Sequence, residues 1–88
     1  MSGPKEVLYK SEEQMSRTEL AKLLREVAER VAKGSLTLRS TEKETTVQFP
    51  EQVELEIQYE VKQKSGGDRR QLELEISWGA GVGGIGLA

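Results

Sequence analysis

The sequence predicts an α+β domain in which one amphipathic helix packs on an antiparallel sheet of four or five strands, in the order β-α-β-β-β-β. Three observations carry this expectation. A capping signature at Ser16 opens a stretch of helical period that closes at Gly34. After Gly34, apolar residues recur at every second position in successive short runs. The two longest of these runs flank a link of turn residues, the arrangement of a hairpin.

Taken in order, residues 5–10 (Lys-Glu-Val-Leu-Tyr-Lys) place β-formers between charges and read as a short edge strand. The helix follows. Ser16-Arg17-Thr18-Glu19 is a capping box, in which the Ser16 hydroxyl takes the Glu19 amide and the Glu19 carboxylate reaches back to the Ser16 amide. Met15 and Leu20 occupy the two positions that close as a hydrophobic staple. Leu20, Leu23, Leu24, Val27, Ala28 and Val31 then repeat with the spacing of one helical face. The opposite face carries i,i+4 pairs such as Lys22 with Glu26 and Arg25 with Glu29, which marks it as solvated. Lys33 and Gly34 supply the last-turn cation and the residue that ends helices, so the helix is expected at 16–33.

Beyond Gly34 the period falls to two. Leu36 and Leu38 mark one strand and Val47 and Phe49 the next, joined by the polar stretch 40–44 and ended by Pro50. In the longer hairpin, Val53, Leu55, Ile57, Tyr59 and Val61 point one way while Glu54, Glu56, Gln58, Glu60 and Lys62 point the other. Its second strand sets Leu72, Leu74, Ile76 and Trp78 against Glu73, Glu75 and Ser77. A loop of residues 65–68 places Tyr59 opposite Leu74, Ile57 opposite Ile76 and Glu60 opposite Glu73. A slip by one residue would set apolar against polar side chains, whereas a shift by two keeps the match. Residues 1–78 are thus expected to form a single domain. Residues 79–88, with five glycines and no charge, read as a flexible glycine-rich C-terminal tail.

The order of these segments, EVLYKSEEQMSRTELAKLLREVAERV, then GSLTLRS, FPEQVELEIQYE and LELEISW, resembles the amphi-Trp domain family over residues 5–78. The resemblance implies an amphipathic helix followed by amphipathic strands, with a tryptophan closing the last of them, here Trp78. It implies no activity, cofactor or catalytic residue, and the glycine-rich tail lies outside the shared pattern.

Composition narrows the functional classes. With 88 residues there is room for one core, and a chain of this size buries only about 60–65% of its unfolded surface, a narrow margin that favours a homodimer or a protein partner. Neither cysteine nor histidine occurs, which removes the commonest nucleophile, general base and soft metal ligands. No enzyme, cofactor or metal site is expected, and a cysteine-free chain without a long apolar run is expected in the cytoplasm, with no membrane partner.

Three groups of residues stand out as candidate sites. Glu54, Glu56, Glu60, Glu73 and Glu75 form a carboxylate face, read as the solvated side of the strands or a surface for a basic partner. Trp78 is read as a core cap or an interface anchor beside Gly79. Lys62, Lys64, Arg69 and Arg70 gather at the hairpin tip, where they can meet phosphates; no aromatic residue lies beside them to stack bases, and the net charge of −2 argues against bulk attraction to nucleic acid. The expected function is a small non-enzymatic protein-interaction module, acting by self-association or edge-strand binding. Weak nucleic-acid binding through the basic tip is the alternative.

Overall fold

The computed structural model describes residues 5–79. Among them it contains one helix and four strands: α1 (Arg17–Lys33), β1 (Ser35–Arg39), β2 (Glu44–Gln48), β3 (Glu54–Lys64) and β4 (Gly67–Ser77). The α+β class follows directly. The strands pair as two antiparallel two-stranded sheets, β1 with β2 and β3 with β4, where the sequence led to one sheet of four or five strands. The chain divides accordingly into two units, Met1–Phe49 and Pro50–Ala88. No helix among the described residues is long and apolar enough to cross a membrane. Apart from Gly79, the expected tail lies outside the described residues.

The first unit begins with a segment that does not become a strand. Residues 5–10 pair with no other backbone as a ladder; instead the Tyr9 hydroxyl donates to the Arg39 carbonyl at 3.1 Å. One side-chain bond replaces the ladder that so short a run of β-formers would have to make. At Ser16 the capping box forms as the sequence requires. The Glu19 amide donates to Ser16 Oγ at 3.0 Å and the Ser16 amide donates to Glu19 Oε1 at 3.1 Å. Gly34 ends the helix with φ 95°, and its amide donates to the carbonyls of Arg30 and Val31. An L side chain at that φ would meet its own backbone, which is why glycine stands there.

The β1–β2 register sets which side chains share the face toward the helix. Leu36 lies opposite Val47 and Leu38 opposite Thr45, so these four share one face. That face and the helical residues Val27 and Val31 are half-buried, with Phe49 beyond the strand end. The stripe is covered only in part. Leu20, Leu23 and Leu24 remain 43–45% exposed. A helix of 17 residues extends about 25 Å, whereas a strand of five residues spans about 17 Å, so β1 and β2 are too short to cover it. Across the outer face, Thr37 and Thr46 share a hydroxyl hydrogen bond at 3.1 Å, and Arg39 Nε donates to Glu44 Oε2 at 2.7 Å.

The second unit is a ribbon of two 11-residue strands, each about 37 Å long. Only Ser65 and Gly66 lie between them, because Lys64 already pairs with Gly67. The register therefore sits two residues from the expected one: Tyr59 faces Leu72, Ile57 faces Leu74 and Glu60 faces Gln71. Gly67, at φ 125°, turns the chain directly into β4, so the loop does not need residues 67 and 68. Apolar still meets apolar after such a shift, and hydrophobic patterning had no power to choose between the two. The largest departure concerns the core. No side chain among the described residues is buried, although the sequence pattern assigns an interior place to the whole apolar side of β3 and β4.

Candidate interaction surface

The ribbon sorts its side chains by the period of the strand. Leu55, Ile57, Tyr59 and Val61 on β3 share a face with Leu72, Leu74 and Ile76 on β4. Each stays open, from 41% exposure at Ile76 to 62% at Leu72. Fully burying one such side chain is worth about 1.5–3 kcal/mol, so this face holds most of the unit's unused driving force for association. Contiguous apolar surface of this kind makes the face a candidate contact site. Trp78 follows β4 directly, is 38% exposed, and precedes Gly79 at φ 104°.

One member of the predicted tip cluster belongs to this face. Arg70 has the same strand parity as Leu72 and Leu74, lies opposite Val61, and donates from Nη1 to the Tyr59 hydroxyl at 2.9 Å. Its Nη2 also approaches Asp68 Oδ2 at 3.9 Å. Arg70 therefore holds the tyrosine in place, a role the alternation of β4 already implied and charge clustering obscured.

The opposite face carries the remaining candidates, and it is divided by charge. At the open end Glu56 lies opposite Glu75, and Glu54 and Glu73 flank them. At the tip Lys62 lies opposite Arg69, with Lys64 next to it. Like charges directly across a ladder weaken it slightly, so neither end gains from this pairing within the ribbon. The middle is engaged locally: Gln58 donates to Glu60 at 3.1 Å, Gln71 donates to Glu73 at 3.1 Å, and Lys62 approaches Glu60 at 3.7 Å. Glu60 and Glu73, expected opposite one another, stand beside these glutamines instead. The carboxylates run along the strands, and no group of three or more among the described residues is placed to hold a metal ion.

The ribbon also has open edges. A two-residue loop is closed by a pair that exchanges both backbone hydrogen bonds, so Lys64 bonds to Gly67 and even-numbered residues of β3 bond across to β4. The amides and carbonyls of Leu55, Ile57, Tyr59 and Val61 consequently point to the other edge of β3, where no further strand of the described residues pairs. Such an edge is a template for another chain.

In the first unit, a groove of about 370 Å³ runs between α1 and β1, with Leu23, Val27, Leu36 and Leu38 along it and Glu26 and Arg30 among its other residues. None of these side chains is buried.

The family model described as the Amphi-Trp domain matches residues 3–85. The match runs into the glycine-rich stretch, beyond the limit at residue 78 that the resemblance had suggested. No curated protein and no solved structure matches the chain.

Proposed function

The chain belongs to the Amphi-Trp domain family, and from that premise we propose that it is a small non-enzymatic protein-interaction module whose β3–β4 ribbon engages another polypeptide. One observation carries the reading: an 11-residue ribbon keeps the apolar side chains of one face exposed, from Leu55 to Val61 and from Leu72 to Ile76, while its β3 edge presents unladdered backbone. An isolated two-stranded ribbon is marginal in water and becomes stable once further strands or a covering layer join it. Strand addition supplies backbone bonds and seats alternate side chains, which is how extended segments are recognised at sheet edges. The wider sheet expected from the sequence then arises by addition of a partner's strand. A cysteine-free chain suits such a role in the reducing cytoplasm.

The reading is tested by solution mass across a concentration series for the full chain, for the pair Ile57→Glu with Leu74→Glu, and for Gln71→Glu on the opposite face as control. The full chain and the control should gain mass with concentration, and the apolar-face variant should not. A full chain that stays monomeric throughout, and binds a hydrophobic dye no better than the apolar-face variant, contradicts the reading.

Weak nucleic-acid binding is the second reading, favoured by Lys62 opposite Arg69 at the tip. Against it stands the engagement of Arg70 with Tyr59. Phosphate contacts would weaken steeply as salt rises, whereas apolar contacts would hold or strengthen.

A further inference from the structure

We propose that the polypeptide that adds to the β3 edge is β3 of a second copy, antiparallel, with the two-fold axis at Tyr59. The inference rests on the reading of the ribbon as a docking element and names its occupant. Charge along β3 selects this occupant. β3 runs from acidic to basic, with Glu54 and Glu56 at one end and Lys62 and Lys64 at the other. Within the ribbon each end meets its own kind, Glu56 against Glu75 and Lys62 against Arg69. An antiparallel copy reverses this. With Tyr59 opposite Tyr59, each Glu56 lies opposite a Lys62 and each Glu54 opposite a Lys64, and symmetry makes every such pair twice.

The apolar face agrees with the same register. Ile57 then meets Val61 of the second copy, and the two Tyr59 rings meet at the axis, each hydroxyl held by its own Arg70 at 2.9 Å. The backbone agrees as well. The groups of Ile57, Tyr59 and Val61 that point away from β4 become the bonded pairs of the new ladder, and Glu56 and Lys62 fall at the non-bonded positions where side chains approach more closely. Moving the axis to Gln58 sets Glu56 opposite Glu60, and moving it to Glu60 sets that residue opposite its own copy. The β4 edge is a poorer match, because an axis at Leu72 sets Arg70 opposite Leu74 and Asp68 opposite Ile76. Joined through β3, two ribbons make a sheet of four strands, wide enough to be stable where one ribbon is marginal.

Glu56→Lys and Lys62→Glu test this separately and together, with solution mass as the readout and circular dichroism checking that each variant folds. Each variant alone sets like charges opposite at both symmetric positions and should self-associate about tenfold more weakly than the native chain. Mixed in equal amounts, the two restore opposite charges at both positions and should form a heterodimer. If both variants keep the native dimer mass, the β3 pairing is overturned, while association through the apolar face, lost in the Ile57 and Leu74 variant, still stands. A mixture that stays monomeric where the native chain is dimeric overturns the register, and a native chain that is monomeric at every concentration overturns the second copy as occupant.

Discussion

At the scale of single residues, the helix ends depend on two positions of different physical kind. Ser16 satisfies an amide that would otherwise be orphaned, at 3.0 Å. Ser16→Ala should therefore cost about 1 kcal/mol, read as a lower urea midpoint in the helical signal at 222 nm. Gly34 acts through its backbone alone. Its φ is 95° and no atom beyond its own residue and chain neighbours lies within 4 Å of where a Cβ would stand, so Gly34→Ala meets no tertiary clash and its cost, about 1–2 kcal/mol, is that of the left-handed conformation. An unchanged midpoint in Gly34→Ala would contradict the observed cap. Both positions were legible in the sequence because caps are local: their partners lie within four residues. Arg70 shows the converse. Composition grouped it with the tip cations, but its partner Tyr59 lies across the ribbon, and only strand parity reveals the contact.

At the scale of elements, period predicted type well and pairing less well. The helix Arg17–Lys33 and the four strands after Gly34 lie close to where the period of the apolar residues puts them. The 5–10 stretch did not become a strand, since three β-formers between charges give a ladder little to bond and nothing to cover. The long hairpin was legible as a hairpin but not in its register, because a two-residue shift preserves every apolar match. Proton resonance distinguishes the two registers. Tyr59 and Leu72 form a non-bonded pair, as do Ile57 and Leu74, so their Hα protons should give strong cross-strand contacts. Strong contacts between Tyr59 and Leu74 instead would restore the longer loop.

At the scale of the whole molecule, the fold class was readable and the interior was not. Binary patterning says which side of a strand is apolar, but it does not say which surface will cover it. Here Leu55, Ile57, Leu72 and Leu74 carry the pattern of core residues and all stand more than half exposed. The candidate site follows from that mismatch. Its carboxylates and cations were visible in the sequence as groups, while their segregation along β3, and hence their fit to a reversed copy, emerged only once the register was known.

The most direct test is amide hydrogen exchange along β3 at low and high protein concentration. Gln58 and Glu60 donate within the ribbon and should be protected wherever the ribbon is formed. Ile57, Tyr59 and Val61 point to the open edge and should gain protection as concentration rises, to a level matching their neighbours. If those three amides exchange without protection at every concentration while Gln58 and Glu60 remain protected, no strand adds at the β3 edge, and the account of this ribbon as a self-pairing element is wrong.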